Sequence, residues 1–274
     1  MKELAVSADQ VLAFETNCHL FDGCGFPAPG LHSFVFDPIF SIGSFHFNKP
    51  MLLALLSTIV VVGFFWAAFN KPKMVPGKVQ MVGEAGYDFV RRGIVYETLG
   101  KKVGEKYVPL MVSLFFFVWI MNIWSVIPVA QFPVTSIIAF PVGLAAIVYV
   151  TWMYLTFKKH GLVGGLKNIT GYDKTLGAVL PLSMTIEFFS NVLVRPFTHA
   201  VRLFANMFAG HTLLLLFTIA SWYMLNGIGI AYAGVSFVMT IVMTAFELFI
   251  QAVQAYVFVL LACSYVQGAL AEHH

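Results

Sequence analysis

Residues 51–69 (MLLALLSTIVVVGFFWAAF) run without one charged side chain. As a helix, that stretch spans the roughly 30 Å hydrocarbon core of a bilayer. Comparable apolar runs occupy residues 108–127 and 136–157, and two longer ones cover 181–217 and 231–267. Five such runs exclude an ordinary soluble domain. Only 11% of the chain is charged and 59% is hydrophobic, against about 25% and 45–50% in soluble proteins. Disordered chains are poor in hydrophobes, so disorder is excluded too. A transmembrane barrel would alternate in segments of about ten residues. The expected fold is an all-α polytopic membrane protein with about five membrane-crossing helices and an amphipathic surface helix.

Residues 1–48 are polar and Gly/Pro-rich in places (FDGCGFPAPG) and read as an extracytoplasmic segment with room for a short interfacial helix. Residues 49–274 read as one membrane domain. Between the first two runs, 70–107 is charged. After Pro76, Val79, Val82, Tyr87, Phe89 and Val90 recur at helical spacing, which predicts an amphipathic helix on the membrane surface. Residues 158–180 form a second basic loop, with KKHGLVGG as a turn signal.

Basic residues set the orientation. The loop 70–107 holds Lys71, Lys73, Lys78, Arg91, Arg92, Lys101, Lys102 and Lys106, and 158–180 adds Lys158, Lys159, Lys167 and Lys174. These account for 12 of the 16 Lys and Arg. Cytoplasmic loops carry such an excess. The N-terminus is therefore expected outside and the C-terminus inside.

The two long runs pose a geometric problem. Thirty-seven residues make about 55 Å of helix, and usual tilts of 0–40° do not fit that into the core. Both helices are expected to cross steeply. Pro196 is expected to kink the first, because an interior proline removes a backbone donor.

Between residues 181 and 267 the only Asp, Glu, Lys or Arg are Glu187, Arg195, Arg202 and Glu247. A charge at membrane depth costs about 2.5–3.5 kcal/mol or more and marks function by default. Arginine cannot escape by losing its proton. At 100° per residue, Glu187, Asn191, Arg195, His199, Arg202 and Asn206 fall within an arc of about 120°. Thr240, Thr244, Glu247, Gln251 and Gln254 fall within about 80° on the next helix. Two polar stripes on apolar helices suggest a hydrated path or a shared interface. For a lone Asn or Thr, hydrogen bonding between helices is sufficient explanation. For Arg202 among its neighbours it is not.

Residues 202–210, Arg-Leu-Phe-Ala-Asn-Met-Phe-Ala-Gly, closely resemble the RLFGNMxAG signature of subunit a of the membrane (Fo) sector of F-type ATP synthases, bacterial type. Residues 116–122 (FFVWIMN), followed by Ile127-Pro128, resemble that family's early span, and 246–258 (FELFIQAVQAYVF) its last helix. The similarity covers about 50–270. It implies a stator subunit, not an enzyme on its own, with no cofactor and no metal. The two steep helices would form a hairpin against a ring of c subunits, and the partners would be that ring, the peripheral-stalk b subunits, the rest of the complex and the bilayer, with no nucleic acid. Its place would be the bacterial plasma membrane. The family's essential arginine maps onto Arg202. A fixed cation there would favour the ionised form of a c-ring carboxyl and repel a proton hopping directly between two half-channels. The resemblance places Asn206, His211, Glu247 and Gln254 on the uptake path, and Glu187, Asn191 and Arg195 on the cytoplasmic exit path. His199, Thr244 and Gln251 are candidates for lining. Several bacterial relatives carry Glu and His at the two positions where this chain has His211 and Glu247. The exchange keeps one imidazole and one carboxyl, so the two side chains are expected to be neighbours. Ala205 replaces the usual Gly of the signature.

Other readings fit less well. A secondary transporter usually shows paired repeats, and none is visible. His199 and His211 lie about 18 Å apart on one helix, too far to share a haem. No GxxxxGK[ST] and no hydrolase motif occurs. Cys18 and Cys24 could form a disulfide or stay as thiols. Asn168-Ile169-Thr170 is a glycosylation sequon, read as coincidence in a cytoplasmic loop.

Overall fold

A computed structural model describes residues 26, 29–30, 38–42, 45–70, 72–127, 130–171, 180–225 and 229–270. Cys18, Cys24 and most of the N-terminal segment lie outside these. Just before the first apolar run, where the sequence suggested at most a helix, the chain forms a small antiparallel hairpin, β1 (Pro38–Ile42) and β2 (Phe45–Asn48). Alternating Phe and polar residues in FHFN suit a strand pleat.

Helix α1 (Lys49–Phe69) starts on Lys49-Pro50, where proline's fixed φ is already helical and its missing N–H is not needed. Leu55, Ile59, Val62 and Trp66 are exposed down one side of it. Large apolar side chains at helical spacing with no protein cover are expected of a lipid-facing stripe.

The expected surface helix is present as α2 (Lys78–Val90), followed by a π-helical turn (Arg91–Tyr96) and a last helical turn to Leu99. Val90 is fully buried, while Val79, Val82 and Phe89 remain exposed. Its apolar face is thus only partly used by the protein, as in a helix lying in the membrane interface. Beyond it, Arg91 Nη2 pairs with Glu105 Oε1 at 2.8 Å, and the Tyr96 hydroxyl donates to the same carboxylate. The Tyr96 hydrogen bond, with Arg91 adding to it, holds the Glu105 carboxyl below the usual glutamate range.

Helix α3 (Val108–Ile123) has 16 residues, shorter than the run that predicts it. Asn122 at its end takes a hydrogen bond from Thr135, which ties the helix to the returning loop. Among the described residues, four helical stretches are long and apolar enough to cross a membrane, and α3 falls just below that length. Phe65 of α1 meets Phe116 of α3 edge-to-face at 5.0 Å, a pairing favoured by the ring quadrupoles.

Helix α4 (Ala139–Thr170) corrects the sequence reading most clearly. The expected loop from 158 is helical through Thr170. The turn signal is real, but Gly161 absorbs it alone at φ 69°. Glycine reaches that conformation without a Cβ penalty, so the helix bends and resumes. The helix ends at Gly171, again left-handed at φ 58°.

The first long run is a helical rod of 44 residues, Leu180–Tyr223. It comprises α5 (Leu180–Phe189), a π-helical turn (Ser190–Val194) and α6 (Arg195–Tyr223). In place of the kink expected at Pro196, the structure shows a widened turn before it. With no N–H at Pro196, the turn before it opens, and the Arg195 N–H bonds Ser190 O, five residues back. Helix α7 (Gly229–Leu270) has 42 residues. At 1.5 Å per residue both rods exceed 60 Å, about twice the hydrocarbon thickness.

Among the described residues, helices α6 and α7 form the most extensive pairing, and α7 also packs on α3 and α4. Ala255, Ala262 and Cys263 of α7 are fully buried. Small residues let helix backbones approach in a medium where the hydrophobic effect between helices is absent. Ser236 Oγ donates to Phe217 O at 2.9 Å and Ser221 Oγ to Ala233 O at 3.3 Å, joining the C-terminal part of α6 to the N-terminal part of α7. At the other end, the Lys159 ammonium bonds the Leu270 carbonyl and His160 Nε2 lies 3.2 Å from Ala269 O. Both groups come from α4 and meet the carbonyl-rich end of α7, where donors and positive charge are favoured.

Candidate functional site

The polar groups of α6 and α7 divide between two environments. Arg202 and Asn206 are exposed on the outer face of α6, with Thr198, Ala205, Ala209 and Leu213 around them. Two alanines beside a long cation leave that face shallow. Among the described residues Arg202 has no ion-pair partner. A bare arginine on an apolar helix at this depth is untenable against lipid alone.

The stripe of α7 points inward. Glu247, Gln251 and Gln254 are all buried, and Thr240 and Thr244 are half-buried with hydroxyls donating to the carbonyls of Ser236 and Thr240. Asn206 Nδ2 donates to Gln254 Oε1 at 2.6 Å, so the two helices meet through a pair that the sequence assigned to one path. Gln251 Nε2 donates to Ser125 Oγ at 2.6 Å and lies 3.5 Å from Glu247 Oε1. Glu247 Oε2 and Gln251 Oε1 remain buried with no partner among the described residues. Buried carboxylate and amide oxygens left unmatched are costly unless water reaches them.

His211 is buried on the same side of α6 as these groups, with its ring 6.0 Å from Phe132 edge-to-face. Gly210 adjoins Glu247: a Cβ at position 210 would lie 4.0 Å from the Glu247 Cγ. The helix register therefore carries the His211 segment past Glu247.

The other end of the rod holds the remaining candidates. Asn191 is buried in the π turn, and its Nδ2 donates to Ile169 O of α4 at 2.7 Å. Arg195 is exposed and its guanidinium lies 6.0 Å over the Tyr265 ring, a cation–π contact. Glu187 is exposed, and its carboxylate rests against the left-handed cap Gly171. The π turn changes the helical phase between Glu187 and Arg202, so the ideal 120° stripe is not one continuous face. His199 is buried against Phe258, with ring centroids 4.1 Å apart.

Three polar contributors escaped the sequence reading. Ser125 and Thr135 come from the segment after α3, and Tyr149 from α4. Nothing in a single sequence says which serine or tyrosine of an apolar run faces another helix. No group of three or more His, Cys, Asp or Glu among the described residues could hold a metal.

Long apolar helices, an unpaired arginine on an open helix face and buried carboxamide and carboxyl groups behind it define a polytopic ion-translocating membrane subunit. The ATP synthase A chain family model matches residues 51–267. A protein of Streptomyces lividans named ATP synthase subunit a is 79% identical over 274 residues, covering 98% of each chain. Proteins of the same name from Nocardioides and from Pseudarthrobacter chlorophenolicus are each 40% identical, over 92% of this chain and 96% and 97% of theirs. The chain belongs to the ATP synthase A chain family: it is a non-catalytic, proton-translocating stator subunit of the membrane sector, not an enzyme on its own.

Proposed function

We propose that Arg202 is the residue through which ion flow is coupled to rotation, facing the membrane carboxyl of each c subunit as the ring turns. The observation that carries this is its exposure, unpaired, on the shallow apolar face of α6. Such a face is complete only when another protein covers it and brings an acidic group. A ring carboxyl arriving there is held ionised by the guanidinium and gives up its proton. The same fixed charge repels a hydrated proton, so the two half-channels stay separate. A leak at that point would dissipate about 2.3 kcal/mol per charge per 100 mV.

Asn206, His211, Glu247 and Gln254 form the uptake path, with Thr244 and Gln251 lining it. The buried, partly unmatched polar oxygens of Glu247 and Gln251 support water there. Glu187, Asn191 and Arg195 form the exit path, with His199 lining it. The basic residues place that end at the cytoplasm, the N-terminus outside and residues 1–48 in the extracytoplasmic space of a bacterial plasma membrane, with about five crossings in the domain 49–274. The long rods α5–α6 and α7 cross as a steep hairpin beside the c-ring. The peripheral-stalk b subunits hold the chain against the catalytic head.

The test is Arg202→Ala in membrane vesicles carrying the whole complex. ATP-driven proton pumping is abolished while ATP hydrolysis by the head continues. Pumping that persists at the unsubstituted rate rejects the assignment.

A further inference from the structure

Between α1 and α3 lies a slot of about 610 Å³, the size of a small-ligand site. Phe64 of α1, Val82 and Phe89 of α2, Phe116 and Trp119 of α3 and Ala252 of α7 line it. Among the described residues, every side chain that lines it is aliphatic or aromatic. Such a lining offers water no partner. Val82 and Phe89 are also exposed, so the slot opens on the lipid side. Helix α2 closes one end of it. Gly83 lies against Ala68 in the last turn of α1, and Gly86 against Phe116 of α3, each so near that a Cβ would come within 2.7 Å. Glycine is what permits that approach. A transmembrane helix, about 10–12 Å across, cannot run through the slot past α2 to the membrane surface. An acyl chain ends inside the bilayer and needs no such passage.

We propose that the slot seats one acyl chain of an anionic phospholipid, with the headgroup on the basic edge of α2. The sign of the charge follows from α2 itself. Lys78 stands one turn before Val82, and Arg92 three residues after Phe89, so the edge that faces the slot carries an exposed cation at each end. Arg92 also pairs with Asp88 at 3.1 Å, whereas Lys78 has no ion-pair partner among the described residues. The whole segment 70–107 holds eight Lys and Arg against four Asp and Glu. A lysine here lays its stem along apolar surface and keeps its ammonium among headgroups. An interfacial helix is held by apolar burial together with attraction to anionic lipid, and slot and edge supply one each. The seated chain joins α1, α2 and α3 from the lipid side. The site is independent of Arg202 and of which way the chain faces across the membrane.

The experiment uses the complete complex in phosphatidylcholine vesicles that contain a trace of one probe. The probe is phosphatidylglycerol or phosphatidylcholine with a diazirine halfway along one acyl chain. After illumination, the labelled residues of this chain are mapped by mass spectrometry. Leu55 and Ile59, on the exposed side of α1, are the reference and take both probes equally. Phe64, Phe116 and Trp119 take the phosphatidylglycerol probe in excess, by about fivefold for each basic residue that meets the headgroup. Lys78→Gln combined with Arg92→Gln removes the excess. Ala85→Trp fills the slot from α2 and removes labelling of Phe64, Phe116 and Trp119 by either probe, while ATP-driven pumping continues. Equal labelling of the slot by the two probes, an excess kept by the double variant, or slot labelling unchanged by Ala85→Trp overturns the proposal. Labelling of Leu55 and Ile59 without the slot means that another subunit covers it, and overturns the proposal as well.

Discussion

Glu247 and His211 carry the sharpest residue-level question, because the family resemblance implies that this chain has the acid and the imidazole exchanged. Helix register brings position 210 against Glu247, and both side chains are buried, His211 against Phe132 of the loop before α4. If the two act as one relay, their order is unimportant and their presence is essential. On the relay reading, His211→Glu alone replaces the path's imidazole by a second buried carboxyl, where like charges are costly, and pumping falls by about tenfold or more. Adding Glu247→His restores one of each, and pumping returns to within about threefold of the unsubstituted complex. Vesicle pumping assays of the three variants decide it. A double variant as slow as the single would break the idea of one relay. The sequence exposed both residues because each is an ionisable group in an apolar run. It did not expose Ser125, which joins the network by bonding Gln251 across 126 positions. A serine in a span has no signature until its neighbour is known.

At the scale of elements, the punctuation residues were legible and their consequences were not. Pro196 announced a disturbance, and the rod answers with a π turn that keeps it continuous. Gly161 announced a loop and delivers a bend within a helix. Gly171 is the clearest case of an element end shaping a site. Its left-handed φ of 58° and the Glu187 carboxylate against it leave no space for a side chain. Gly171→Ala costs about 1–2 kcal/mol for the left-handed backbone and pushes Glu187 off the cap. The expected result is a lowered thermal midpoint of the assembled membrane sector together with slower pumping. An unchanged midpoint and rate would mean that Gly171 is only a convenient stop. The π turn matters in the same way, because it rotates Glu187 and Asn191 relative to Arg202 and sets which of them looks inward.

For the whole molecule, the basic residues and the long rods make one consistent arrangement. The kink of α4, its Lys159 and His160, and the end of α7 gather on one side, the side that the proposed orientation puts at the cytoplasm. The C-terminal end of α6 and the N-terminal end of α7 lie at the other. Val163 and Leu225 are both exposed, one near each end. With Cys18 and Cys24 replaced by Ser, buried Cys263 is the remaining native thiol and is shielded. A membrane-impermeant maleimide should then label Val163→Cys only from the cytoplasmic face and Leu225→Cys only from outside. The opposite pattern would invert the topology.

Apolar run length and the scarcity of charge determined the class of fold, because a bilayer accepts only backbone that satisfies itself and penalises every exposed ion. The same penalty made Arg202, Glu247 and their neighbours readable one by one, and the 202–210 stretch tied them to a family. Tertiary structure alone decided which polar groups meet. Burial of a stripe depends on helix phase, and a single π turn or left-handed glycine shifts that phase by an amount no periodicity records. Asn206 with Gln254, Gln251 with Ser125, and Asn191 with the Ile169 carbonyl are contacts between distant segments, set by how these helices pack.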